Sequence, residues 1–207
     1  MLLVIGNKNY SSWSLRPWLA LKVLGLPFEE RRVSLYVPGS KEKILEHSPS
    51  GKVPCLVDGK NVVWDSLAIL EYLAERHPLW PADASERARA RSLAAEMHSG
   101  FPNLRQHMSM NIRRRYPGKG RTPEVEAEIG RLVEIFSAAK APFLFGAFGV
   151  VDAMYAPVVL RFRTYEVALP PAPRRYADAV LALPALQEWM EAGANEAEAI
   201  PQFDLYG

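Results

Sequence analysis

The chain has 207 residues, enough for one large domain or two small ones with a real core. Apolar residues make up 49% and charged residues 23%, and a net charge of +2 is too small to dictate a partner. The single cysteine, Cys55, excludes an intrachain disulfide framework and a cysteine metal cluster.

The opening "MLLVIGNK" is too short for a signal core, and no other segment approaches ~20 apolar residues. With one cysteine, the expected setting is a reducing cytoplasm without a membrane anchor. The basic run "NIRRRYPGKGR" reads as a solvated helix end and loop. It lacks the interleaved aromatics or groove-reading motif of a nucleic-acid binder.

In chain order, "LLVI" reads as a short buried strand. "SLRPWLALKVLGL" reads as a helix with Leu15, Trp18, Leu19 and Leu21 on its apolar stripe, ended by Gly25. Ser14 is the expected N-cap, because that places Pro17 in the first turn, where proline is tolerated. "FEERRVSLY" alternates like a strand, and "SKEKILEH" is a short helix capped by Ser40. "PCLVDGKNVVW" is a hairpin turning at Asp58-Gly59, and "DSLAILEYLAERH" is a helix with Leu67, Leu70, Leu73 and Ala74 on one face. The order βαβαββα describes a small α/β sheet.

"PLWPADASE" breaks the pattern with two prolines and an N-cap serine, Ser85. Helices are expected from there over about 85–115, 123–140, 150–165 and 173–192. The expected division is an α/β domain over 1–78, a linker over 79–86 and an all-helical domain over 87–207.

In "SPSGKVPCL" a proline opens a strand, a position it tolerates at edges. A cis Val53–Pro54 bond there would turn the Val53 N–H and C=O outward as an edge for a peptide. Asp65 and Ser66 then stand at a helix start. By themselves they are an N-cap pair worth about 1 kcal/mol. Alternatively, hydroxyl and backbone N–H groups at that helix end hold a carboxylate, with Asp65 pairing an ammonium. A site with all three features suits an amino-acid-like or peptide ligand.

"SPSGKVPCLVDG" with "WDSLAILEYLAERHP", a proline-rich linker and an all-helical half resembles the soluble glutathione S-transferase superfamily. The resemblance implies a thioredoxin-like N-terminal domain and glutathione as co-substrate. It places Val53 and Pro54 on the cysteinyl backbone, Asp65 and Ser66 at the γ-glutamyl end, and Lys52 at the glycyl carboxylate. A homodimer is implied as well. "FGVVDAMYAPVV" is similar to the family's capping element at a buried helix, with Gly149 where Ser or Thr is usual and Asp152 kept in a structural role.

On that resemblance, "NYSSWSLRP" occupies the strand-to-helix turn where serine-type transferases place a catalytic hydroxyl, and it is similar to the zeta-class opening. Ser11 falls on the catalytic serine, with Ser12 and Tyr10 as alternates, and Trp13 stands for a cysteine at the glutathione site. Taken alone, the serines would be a capping turn. The chemistry wanted is a hydroxyl that donates to sulfur: a thiol of pKa about 8.5 is only a few per cent ionised at neutral pH. Lowering that pKa by two units takes about 2.7 kcal/mol, within reach of one charge-assisted hydrogen bond and a helix terminus.

The electrophile is expected between the halves, against one helical face carrying Met97, Phe101, Arg105 and Met108, with Pro102 as a kink. Met and Phe there are core residues by default; Arg105 and Arg113 suit an anionic substrate. The turn has no cysteine, which argues against a dithiol or omega-type mechanism. Cys55 reads as a small core residue, and His47, His77, His98 and His107 lack metal-ligand spacing. The expected function is a glutathione transferase attacking an electrophilic small molecule, hydrophobic or anionic. The narrower form is a maleylacetoacetate-type isomerase. The competing class is a non-catalytic ligand-binding or interaction protein of the same fold.

Overall fold

The structure is a computed structural model, and it describes residues 1–206. Four strands form one mixed sheet in the order β2-β1-β3-β4: β1 Leu2–Ile5, β2 Glu29–Arg32, β3 Cys55–Asp58 and β4 Asn61–Val63. β1 runs parallel to β2 and antiparallel to β3, which pairs antiparallel with β4. The helices among them are α1 Ser12–Val23, α2 Ser40–Leu45 and α3 Ser66–Ala74. This gives the expected βαβαββα order of a thioredoxin-like domain.

The two-residue period of β1 explains why both its faces are buried. Leu3 and Ile5 join the main core with Leu15, Leu19, Ile69 and Leu70. Val4 faces the opposite side, with Val33, Ile44 and Cys55. The edge strand β2, "EERR", is exposed throughout, and its charges discourage edge-to-edge pairing. α1 ends in a Schellman motif: Gly25 takes φ +66°, its N–H donates to Lys22 O at 3.1 Å, and Leu26 N–H donates to Leu21 O at 3.0 Å.

The second half is helical: α4 Ala84–Ser99, α5 Pro102–His107, α6 Pro123–Ser137, α7 Val150–Tyr165, α8 Pro171–Leu181 and α9 Pro184–Ala194. The single helix expected over 85–115 is instead α4, a break at Gly100–Phe101, α5, and a non-helical run from Met108. Pro102 does not kink a continuous helix; it starts a new one at its first position, where its missing N–H costs nothing. The helix expected over 173–192 likewise divides at Leu183, because Pro184 opens α9.

Three expected caps move. Asp83, not Ser85, caps α4, accepting from Glu86 N–H at 2.8 Å. Gly39 precedes α2, and Ser40 is its first residue. Ser11, not Ser14, caps α1, so Pro17 lies well inside the helix.

α7 is buried along its length except at Arg163 and packs on both α1 and α4, joining the two halves. Asp152 Oδ2 accepts from Gly149 N–H at 2.9 Å and Oδ1 from Leu144 N–H at 3.0 Å. A Cβ on Gly149 would stand 2.5 Å from the carbonyl oxygen of Leu79. The linker passes too close for the Ser or Thr usual at that cap.

Candidate functional site

The turn before α1 is held from the helical half. Asn9 Oδ1 accepts from Ile112 N–H at 2.8 Å and Arg113 N–H at 3.0 Å, and Asn9 Nδ2 donates to Asn111 Oδ1 at 3.2 Å. Trp189 Nε1 donates to Lys8 O at 3.0 Å. Gly193 of α9 lets this turn approach: a Cβ there would sit 3.1 Å from Asn9 N.

The segment after α9 returns across the same turn. Glu196 accepts from Lys8 N–H at 2.7 Å and Asn9 N–H at 3.1 Å. Glu198 pairs with Arg32 at 2.7 Å, which holds its carboxyl down at about 2. The Tyr10 hydroxyl meets Asp204 at 3.0 Å and accepts from Arg113 Nη2 at 2.9 Å and Ile200 N–H at 3.2 Å. Arg113 also donates to the carbonyls of Glu196 and Glu198. It is therefore turned into the protein and not toward a substrate.

A cavity of about 210 Å³ opens where α1 begins, lined by Ser11, Ser12, Trp13, Arg105, Arg161 and Phe203 among others. It shares Leu35 and Tyr36 with a groove of about 500 Å³ that carries Lys52 and Val53. The Val53–Pro54 peptide is cis, and no backbone hydrogen bond engages the Val53 N–H or C=O among the described residues. Lys52 is exposed at the groove.

Asp65 and Ser66 line neither cavity. Asp65 caps α3, accepting from Leu67 N–H at 3.0 Å, and its other oxygen lies 3.1 Å from His98 Nε2. Ser66 is fully buried and accepts from Arg16 Nη1 at 3.3 Å. The same guanidinium stacks 4.3 Å from the Trp13 ring centre, with Arg105 4.9 Å from it. A chain of contacts thus runs from the α3 end to the cavity.

The cavity carries positive charge without carboxylate partners among the described residues. Arg161 donates to Met108 O and, at 3.4 Å, to Ser12 Oγ. Burial first, then neighbouring Arg105, lowers its pKa to about 9. Arg105 donates to the carbonyls of Gly100, at 3.0 Å, and Met97, and burial lowers its pKa too. Removing a cation from water without an ion partner is costly unless an anion arrives to pair with it.

Of the residues expected on one electrophile-facing helix, only Arg105 reaches this cavity. Met97, Phe101 and Met108 pack in the main core, because the break at Gly100–Phe101 removes the single face that would align them. Arg161, Ser109, Met110 and Phe203 line it instead. The sequence signal for Arg161 is an arginine set inside the apolar run "APVVLRF". Cys55 is buried in the sheet, and burial pushes its thiol up. Among the described residues no cluster of His, Cys, Asp or Glu could hold a metal, and no helix is long and apolar enough to cross a membrane.

Residues 10–76 match the family model described as glutathione S-transferase, N-terminal domain, and residues 120–192 match the C-terminal domain. The chain is 32% identical over 198 residues to a maleylacetoacetate isomerase of Pseudomonas aeruginosa, covering 87% of this chain and 91% of that protein. It is 41% identical over 100 residues to a probable maleylacetoacetate isomerase of Caenorhabditis elegans, covering 47% of this chain and 46% of that one. The chain thus spans about half the length of that second relative. The fold matches the crystal structure of a maleylacetoacetate isomerase from Methylobacterium extorquens AM1 with bound malonate and glutathione. The TM-score is 0.72 at 24% identity, over 97% of this chain and 100% of that one.

The chain belongs to the glutathione S-transferase family. Its resemblances run in particular to maleylacetoacetate isomerases.

Proposed function

We propose that this protein binds glutathione along the Val53–Pro54 edge and uses it to isomerise or conjugate an anionic, conjugated electrophile. The observation that carries this reading is the pair of buried guanidinium groups, Arg105 and Arg161, without carboxylate partners among the described residues. They flank a cavity at the N-terminus of α1 beside that edge. Val53 offers its free N–H and C=O to the cysteinyl backbone, Lys52 meets the glycyl carboxylate, and Asp65 with Ser66 receives the γ-glutamyl end. Trp13 and Arg16 connect that end to the cavity.

A hydroxyl at the start of α1 donates to the sulfur and favours thiolate, aided by the helix terminus. The thiolate adds to one carbon of a cis double bond conjugated to a carbonyl, and the electron pair moves to the carbonyl oxygen as an enolate. The former double bond is now single and rotates. Collapse of the enolate expels the thiolate and leaves the trans alkene, with no net change in protons or electrons. Arg105 holds the substrate's carboxylate through this cycle.

The working protein is a cytoplasmic homodimer on this reading, which the relatives' family and the single reduced thiol support. Sedimentation equilibrium tests the dimer. Calorimetry with glutathione, followed by an absorbance assay of maleylacetoacetate isomerisation, tests the function. Saturable binding with glutathione-dependent turnover is expected. Binding without turnover on this or any neutral electrophile would establish the ligand-binding alternative, and no binding would reject the reading.

A further inference from the structure

The guanidinium groups of Arg16, Arg105 and Arg161 lie near enough to repel one another, and their partners show what holds them. Arg16 stands one helical turn after Trp13 on α1, and its side chain is fully buried. Of its nitrogens only Nη1 finds a partner among the described residues, Ser66 Oγ at 3.3 Å. Burial first, then the charges of Arg105 and Arg161, hold its pKa well below the ordinary arginine value, with Asp65 opposing. Asp65 itself caps α3 with one oxygen and meets His98 with the other. Glu128, which favours the Arg105 charge, gives its oxygens to the N–H groups of Asn103 and Leu104 at 3.1 and 2.6 Å.

The Trp13 ring occupies the place of a counter-charge. Arg16 lies 4.3 Å and Arg105 4.9 Å from its centre. The rings of Trp13 and His98 stand edge to face, 5.5 Å between centroids, so contacts from α1, α4 and α5 fix the indole. An indole face attracts a desolvated cation through its quadrupole. A carboxylate in that place would neutralise the guanidinium and take the N–H groups that a bound anion needs. The ring does neither. Arg105 spends Nε on Gly100 O and Nη2 on Met97 O, which leaves Nη1 for a ligand in the cavity it lines with Trp13.

We infer that Trp13 is a positioning residue that sets a preference for anionic electrophiles: its indole holds the Arg105 guanidinium oriented and unneutralised at the cavity wall. The inference rests on the transferase reading above and deepens it, because it names what keeps the anion subsite charged. Trp13 acts through Arg105, and Arg16 shares the same ring from behind, tied to α3 by Ser66.

The experiment compares kcat/KM for a carboxylate-bearing and a neutral electrophile in wild type, Trp13→Phe and Trp13→Leu, at saturating glutathione. Calorimetry gives the glutathione affinity of each. Taking the ratio of the two substrates within one variant cancels any effect of the substitution on glutathione or its thiolate. In Trp13→Leu the ratio should fall roughly tenfold, carried by KM of the carboxylate substrate and not by kcat. Trp13→Phe keeps an aromatic face and should hold the ratio within about threefold of wild type.

A binding measurement keeps the test open if Trp13→Leu fails to fold or turnover is slow. Maleate titrated into the wild type should change the tryptophan fluorescence saturably, and Trp13→Phe should bind it with most of that signal gone. An unchanged ratio in Trp13→Leu, or an equal fall in Trp13→Phe and Trp13→Leu, overturns the inference while leaving the transferase reading intact. So does a maleate response that is absent in wild type or undiminished in Trp13→Phe. No glutathione binding by the wild type rejects the transferase reading itself, and the inference with it.

Discussion

The main-chain N–H of Lys8 donates to Glu196 Oε1 at 2.7 Å, joining positions 188 residues apart in sequence. The other oxygen of the same carboxylate takes Asn9 N–H, and the Glu196 side chain is only 7% exposed. The turn that presents the serines is therefore shaped by the far end of the chain.

Glu196→Ala should strand two buried N–H groups and cost about 2–4 kcal/mol. Urea denaturation measures the loss. Hydrogen exchange should quicken first at Lys8 and Asn9, ahead of the β1 core.

Gly149→Ser restores the residue usual at this cap, yet it should destabilise by about 1–3 kcal/mol. The added Cβ would stand 2.5 Å from Leu79 O, and that contact outweighs a capping gain of a few tenths. A melting temperature equal to or above that of the wild type would contradict the packing argument.

Asp152 should make stability fall as pH rises. Burial lifts its carboxyl to about 6, against an ordinary value of 3.8, despite the opposing backbone hydrogen bonds from Leu144 and Gly149. The folded state therefore holds this proton more tightly than the unfolded state does. The contribution is fully present below about 3.8 and lost as pH climbs through about 6. A shift of this size corresponds to roughly 3 kcal/mol. Comparing wild type with Asp152→Asn by urea denaturation from pH 4 to 7 isolates it: the wild type should lose ground steadily over that window.

Arg105→Lys should raise KM for a carboxylate-bearing electrophile roughly tenfold, about 1.4 kcal/mol of binding. It should leave the rate with a neutral electrophile within about a factor of two. Steady-state kinetics with one substrate of each kind make the comparison, and equal losses on both would assign Arg105 to holding Gly100 and Met97 alone.

Much of the N-terminal half was legible because its signals are local. "LLVI", Gly25 after α1 and the strand pair around Gly59 are read from periodicity and turn chemistry within a few residues. The helical half was less legible where proline decided. Pro102 and Pro184 each begin a helix that periodicity alone had merged with the preceding one. The capping roles of Ser11 and Ser14 also lie beyond spacing: both positions satisfy a first turn, and the structure decides for Ser11, whose Oγ accepts from Ser14 N–H while Ser14 Oγ accepts from Gly6 N–H.

By itself the sequence determined the order of elements, the Val53–Pro54 and Asp65–Ser66 constellation and the presence of hydroxyls before α1. Each of these depends on neighbours in the chain. Tertiary structure alone decided which serine caps α1, which arginines face the cavity, and that residues past Ala194 hold the turn in place. Arg161 meets Ser12 across 149 positions, and Glu196 meets Lys8 across 188. Contacts at such separations come from packing α7 and α9 against α1, which no local pattern encodes.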